Sequence, residues 1–422
     1  MSELPASERS LRFCMITTFY PPYNFGGDGI FVQRLAEALV ARGHRVTIIH
    51  CIDAYRLGGG KEPTAPVVHE PNIEVHALES GGGILSPLVT HQLAVPGFKS
   101  RAIRRILEDN TFDVIHFHNI SLVGGPGILA YGNAVKLYTA HEYWLVCPLS
   151  TLWQMQRQPC TAKRCFRCMV DAGKPPQWWR YTSWLQHNLE HVDALIAPSQ
   201  FTIRKHHEMG LDADFTHIPN FLPRADTVPP EDASPVSEKN ERPYFLAIGR
   251  LEQSKGFQRA INVFREFTDA DLLIVGSGQY ETQLHEMASG LEHIRLLGKL
   301  PYAQLISLYR NAVAVIVPSI WFEPFGLIVL EAFAQHTPVI VNNAGALPEL
   351  IADSGGGIVY DDDAGLQQAV ETLLHSPQQR NSLGQKGHAA YLAKWTEETH
   401  LKQYFALIDN VSKRRQQTSV TS

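Results

Sequence analysis

PSIWFEPFGLIVLEAFAQHTPVI, residues 318–340, reads as a strand end, a loop, a helix and the start of another strand. AVAVIVP before it is an uninterrupted apolar run, so the strand is expected to end at Val317, leaving Glu323 in the loop. Pro324 suits the first helical position, where no N–H is lost to the ladder. Glu331 follows Glu323 by eight residues, so along a helix axis at ~1.5 Å per residue the two lie at most about 12 Å apart. Between them fall the unpaired N–H groups of a helix N-terminus, a natural cradle for a phosphate or diphosphate. Carboxylates on either side of such a cradle suit hydroxyl-bearing rings at both ends of a diphosphate. The bland alternative is a loop acid followed by a partly exposed helix acid.

The same rhythm runs outward in both directions. Upstream, YFLAIGR ends at Arg250, and GRLEQSKGF brings Lys255 five residues later, with Gly256 opening a helix. In an open α/β sheet, ligands sit beyond the carboxyl ends of the strands. Both cations therefore belong on the side of the cradle, Arg250 as a fork for phosphate oxygens and Lys255 as a point charge. DLLIVG, HIRLLG, AVAVIVP and PVIVNN carry Val, Ile and Leu on both parities, as strands do when helices cover both sheet faces. The first half repeats the alternation with LRFCMITTFY, RVTIIHC, NIEVHAL, DVIHFHN, AVKLYTA, DALIAP and DFTHIPN. Ser199 is placed to cap the helix QFTIRKHHEMG. Residues 223–243 hold five prolines and several acids, the composition of a linker.

The chain of 422 residues suits two lobes of about 200 each. With 37 Lys and Arg against 42 Asp and Glu, the net charge of −5 argues against a nucleic-acid partner. Hydrophobic residues make up 44%, enough for a large core. No run approaches the ~20 apolar residues of a membrane span. The polar start MSELPASERS lacks the pattern of a targeting peptide, so the expected location is cytoplasmic.

The first half adds a glycine loop, Gly26-Gly27-Asp28-Gly29, whose backbone can approach a ligand closely. His116 and His118 stand at one strand end and His141-Glu142 at another. One of the first pair is expected to face the cleft. Four cysteines, Cys147, Cys160, Cys165 and Cys168, crowd into residues 147–168. In a reducing compartment such a cluster suits a structural zinc site, with an iron–sulfur cluster, disulfides or free thiols as alternatives. FKSRAIRRILED, residues 98–109, is a basic helix with an apolar stripe at Ile103, Ile106 and Leu107, a candidate for peripheral contact with an anionic membrane.

Taken together, GRLEQSKG, IVGSGQYETQL, LLGKLPYAQLISLY, EPFGLIVLEA and NNAGALPELI resemble glycosyltransferase family 4 in its usual order, and FYPPYNFGGDGIFVQRLAEALVARGHRV extends the likeness into the first half. The resemblance implies an α/β chain of GT-B architecture, with two Rossmann-like parallel-sheet domains facing a central cleft. The acceptor domain would span residues 1–222 with a Cys-rich insert at 147–168, and the nucleotide-sugar domain 244–394. Helix 395–412 would return to the first. It implies retaining transfer of a hexose from a nucleoside-diphosphate sugar to a sugar, lipid-linked or small-molecule acceptor, without a catalytic cofactor. By resemblance, Arg250 and Lys255 hold the diphosphate and Glu331 the ribose. Glu323, with the backbone at Phe325 and Gly326, holds the transferred sugar. Gly276 lines the nucleotide pocket, backbone around Lys299 and Leu300 meets the base, Gly27 and Gly26 face the diphosphate, and His141 stands near the donor sugar. Glu142 departs from the family's more frequent Asp. A sugar-nucleotide 2-epimerase and a non-catalytic sugar-nucleotide-binding subunit share this fold and are the rival readings.

Overall fold

The computed structural model describes residues 5–63, 67–155, 157–224 and 242–421. Most of the expected linker, residues 225–241, lies outside the described residues. Strands are numbered along the chain. The first half contributes β1 (Arg12–Ile16), β2 (Arg45–Cys51), β3 (Ile73–Leu78), β4 (Val114–Phe117) and β5 (Val135–Thr139). A two-residue hairpin follows, β6 (Trp153–Gln154) with β7 (Gln158–Pro159), and then β8 (Ala194–Ala197) and β9 (Phe215–His217). The second half contributes β10 (Tyr244–Ile248), β11 (Asp271–Val275), β12 (Ile294–Leu296), β13 (Ala314–Val317), β14 (Val339–Asn342) and β15 (Gly357–Tyr360).

Two parallel sheets result, ordered β3-β2-β1-β4-β5-β8-β9 and β12-β11-β10-β13-β14-β15. Side chains alternate across each sheet. Phe13 and Met15 of β1 join one core cluster while Cys14 and Ile16 join the cluster on the opposite face. In β10, Phe245 and Ala247 face one way and Tyr244 and Leu246 the other. In both sheets the order turns back at the first strand, so β1 lies between β2 and β4, and β10 between β11 and β13. That reversal opens a crevice beyond the strands' carboxyl ends. The loops after β1, β4, β5, β10 and β13 carry Gly26, His118, His141, Arg250 and Glu323 respectively.

The chain crosses between the lobes twice at neighbouring points. Leu222 pairs with Thr396, Leu222 N–H donates to Trp395 O at 3.1 Å, and Tyr391 OH donates to Leu222 O at 3.1 Å. After the second crossing, helix Glu397–Thr421 packs Leu401, Tyr404, Phe405 and Ile408 against Phe13, Met15 and Leu35 of the first lobe. The basic helix is Ser100–Asp109. Its apolar stripe turns inward, with Ile103 buried and Ile106 and Leu107 packed on the first-lobe core. Among the described residues, no helix is long and apolar enough to cross a membrane.

Candidate active site

Glu323 anchors the second-lobe side of the crevice. Its Oε1 accepts from Lys255 Nζ and from Ser319 Oγ, each at 2.6 Å. The ion pair is largely out of water, with Lys255 17% and Glu323 13% exposed. Burial alone pushes the Glu323 carboxyl up, but the Lys255 charge and the hydrogen bonds from Lys255 and Ser319 outweigh it and hold the group below its ordinary value. Lys255 reaches Glu323 because Gly256 lets the turn press against the end of β13. At φ +74°, a Cβ on Gly256 would stand 1.9 Å from Pro318 O. Ile320 N–H then donates to Ser254 O at 2.9 Å.

The helix after Glu323 is Leu327–Ala334, three residues later than its sequence suggests. Gly326 is extended at the N-cap, and Pro324 stays in the loop instead of opening the helix. Its carbonyl instead accepts from Ser199 Oγ at 2.7 Å and Thr202 Oγ1 at 3.0 Å of the first lobe. Phe325 is buried in the second-lobe core. Glu331, in the second turn of the helix, accepts from Tyr309 OH at 2.7 Å and lies 3.9 Å from Arg34 of the first lobe. Neither partner was read from the sequence. Tyr309 precedes Glu331 by 22 residues, and Arg34 lies in the opposite lobe.

The glycine loop meets this helix across the crevice. A Cβ built on Gly27 would lie 3.8 Å from Leu327 Cδ1, and Gly26 is the N-cap of helix Gly27–Val40. Asp28, in that helix's first turn, accepts from Asn119 Nδ2 at 3.2 Å. Burial raises its carboxyl, while Asn119, backbone N–H groups and the charge of Arg250 act the other way. Glu142 is pushed up to about 8 by burial and by Asp28, against the pull of Ser150, Arg250 and Arg180. Arg250, half-exposed and 2.8 Å from Glu252, therefore stands within electrostatic reach of two first-lobe carboxyls.

His141 is partly exposed, and its Nε2 lies 2.9 Å from His118 Nδ1. Burial and the neighbouring His400 depress it to about 3, so it is neutral at physiological pH. His116 bonds Thr139 Oγ1 at 2.8 Å and Tyr404 OH at 2.9 Å. At 1% exposure each, His116 and His118 lie behind His141, and neither lines the cleft as expected. Gly276, φ +147°, packs so closely that a Cβ would stand 1.8 Å from Gly249 O, and its N–H donates to Gly298 O at 2.9 Å. Just beyond, Lys299 is exposed and Leu300 packs partly on the core.

Cys147, Cys160, Cys165 and Cys168 line one small cavity of about 20 Å³. The zinc expectation is nevertheless corrected: among the described residues, no group of three or more His, Cys, Asp or Glu is placed to hold a metal ion. The C-x2-C spacing does set Cys165 and Cys168 one turn apart on helix Cys165–Asp171. Cys147 is tied to the turn at Tyr143, however, and Cys160 to Leu152, with the Cys160 thiol turned to Ala162 O at 3.5 Å.

Comparison with known proteins agrees with this geometry. Residues 25–225 match the model of Glycosyltransferase Family 4, and residues 230–390 that of Glycosyl transferases group 1. Sucrose-phosphate synthase from Thermosynechococcus elongatus superposes with a TM-score of 0.73 at 21% identity, over 98% of this chain and 100% of that one. Anabaena HepE, solved in complex with UDP-glucose, superposes at 0.66 with 16% identity, over 95% of this chain and 100% of that one. These likenesses establish the GT-B fold of two facing parallel-sheet lobes. An uncharacterized glycosyltransferase of Methanocaldococcus jannaschii is 35% identical over 376 residues, covering 82% of this chain and 84% of the relative. With one family model matching each lobe and a relative this similar along most of both chains, the protein is a glycosyltransferase and belongs to glycosyltransferase family 4.

Proposed function

We propose that the protein transfers a hexose from a nucleoside-diphosphate sugar to an acceptor hydroxyl of a polysaccharide, glycolipid or small metabolite, with retention of anomeric configuration. The observation that carries this reading is the Lys255–Glu323 pair at 2.6 Å, largely out of water, with Glu323 in the loop before helix Leu327–Ala334, whose first residue meets Gly27 across the crevice. HepE, of the same fold, was solved with UDP-glucose, which supports a nucleotide-sugar donor.

In this reading Arg250, Lys255 and the N–H groups at the start of the helix receive the charge that develops on the leaving diphosphate. Glu323 accepts hydrogen bonds from sugar hydroxyls, with the Phe325 and Gly326 backbone beside it, and Glu331 reads the ribose. Gly26 and Gly27 let the first lobe close onto the diphosphate, while Gly276 and the backbone at Lys299 and Leu300 border the nucleotide. His141, kept neutral, offers a hydrogen bond to the donor sugar without competing for a proton. Front-face attack, with the leaving phosphate taking the acceptor proton, accounts for retention without a protein nucleophile.

The test is a donor and acceptor panel scored for released nucleoside diphosphate, with the anomeric proton of the product followed by NMR. Release that requires an acceptor and yields the donor's anomeric configuration supports the proposal. Inverted product, or epimerised donor without transfer, refutes it.

A further inference from the structure

A second cavity, of about 730 Å³, lies wholly within the first lobe, behind the segment that follows His141. That size is typical of small-molecule sites. Among the described residues, four cations line it, Lys163, Arg164, Arg167 and Arg180, and no carboxylate does. In a chain of net charge −5 this concentration of one sign is conspicuous. Among the described residues, Lys163, Arg164 and Arg167 form no salt bridge, and all three are exposed. The rest of the lining is chiefly apolar, with Leu145, Val146, Leu185, Met209 and Leu211.

Arg180 is the built element of this cavity. Its guanidinium lies 4.9 Å from the Trp144 ring and 4.5 Å from the Trp179 ring. Nε is held by Gln177 Oε1, and Nη1 reaches Leu145 O at 3.4 Å. Nη2 is buried and, among the described residues, has no hydrogen-bond partner. A buried cationic donor left unpaired is costly, so its retention beside three further cations points to an anion that completes it. Phe166, Trp178 and Tyr181 form an exposed aromatic run at 49%, 64% and 61%, with ring centroids 5.7 and 6.3 Å apart. Phe166 and Tyr181 also line the cavity.

We infer that this cavity binds an amphipathic phosphate ester, its phosphate held by Arg180, Arg164, Arg167 and Lys163 and its apolar part by the Leu145–Leu185–Leu211 wall. The site lies apart from the donor crevice, so the inference stands independently of the transfer reaction proposed above.

The test titrates the full-length protein with monomeric decyl phosphate, by calorimetry and by the fluorescence of Trp144 and Trp179. Inorganic phosphate and decyl maltoside serve as controls. Decyl phosphate is expected to bind at least about tenfold more tightly than either control. The triple variant Lys163→Gln, Arg164→Gln, Arg167→Gln alters exposed side chains only and is expected to weaken it by roughly tenfold or more. Sedimentation with phosphatidylcholine vesicles, with and without phosphatidic acid, separates a lipid-borne from a free ester, and binding in either form supports the inference. Equal affinity for decyl maltoside or for inorganic phosphate, or undiminished binding by the folded triple variant, overturns it.

Discussion

Lys255 and Glu323 are charges held mostly out of water, and each makes the other tolerable. Removing one leaves the other buried and unpaired, which costs about 3 kcal/mol or more. Lys255→Met is therefore expected to lower stability by that order in urea unfolding and to cut turnover at least about a hundredfold. Retained stability with lost turnover would assign Lys255 to the ligand alone. The histidines make a separate prediction. His141 and His400 are depressed to about 3 and about 4, and His116 and His118 lie well below the ordinary value, burial being the largest cause for each. The unfolded chain binds protons at these sites first, so their stabilisation is complete above about pH 6.5 and is lost as pH falls toward the folded values. At pH 5 His141 and His400 each give up about 2 kcal/mol, and His116 and His118 act in the same direction. The melting temperature should fall clearly between pH 7 and pH 5, and a flat profile would contradict the burial assigned to this cluster. At this scale Lys255, Glu323 and His141 were legible in sequence as polar residues at strand ends. Their partners were not, because Lys255 and Glu323 are 68 residues apart and His116 meets Tyr404 across 288. Local spacing carries no information about such pairs.

Elements were more legible than contacts. Runs rich in β-branched residues such as RVTIIHC and AVAVIVP announce buried strands, and β2 spans the seven residues of the former. The alternation was harder to follow near the end. β15 is four residues beginning with glycine, and helix Pro377–Lys394 contains Gly384 and Gly387, poor helix formers that admit close packing of His336 and Phe333. The cysteine spacing was over-read for a similar reason, since spacing fixes two sulfurs on a helix turn but not the paths that bring in the others. Ser199 caps helix Gln200–Glu208 as its sequence suggests, bonding Thr202 N–H at 3.0 Å. Glu349 adds a cap from the second lobe, accepting from Gln200 N–H at 2.8 Å and Phe201 N–H at 2.9 Å. Glu349→Ala should cost about 1–2 kcal/mol in thermal unfolding. Unchanged stability would mean that the cap is satisfied equally well by water.

For the molecule as a whole, a group of polar contacts between the lobes clusters at the loop that holds Glu323 and the helices beside it. The hydroxyls of Ser199 and Thr202 bond Pro324 O, Glu349 caps the same first-lobe helix, and Arg34 approaches Glu331. In the proposed reaction these contacts would link closure to donor positioning. Ser199→Ala with Thr202→Val should raise the radius of gyration in solution scattering and the KM for donor, leaving the lobes folded. An unchanged scattering profile and KM would show that closure is set elsewhere. The facing-lobe architecture was legible from the repeated rhythm and the proline-rich stretch between its halves, whereas the latch joins residues more than a hundred positions apart. The account rests most heavily on the cations of the second lobe. With Arg250→Ala and Lys255→Ala combined, titration with the nucleotide sugar that the wild-type enzyme consumes should show affinity weakened at least about a hundredfold, and turnover should be lost. A folded double variant that binds and turns over its donor as the wild type does would contradict the account.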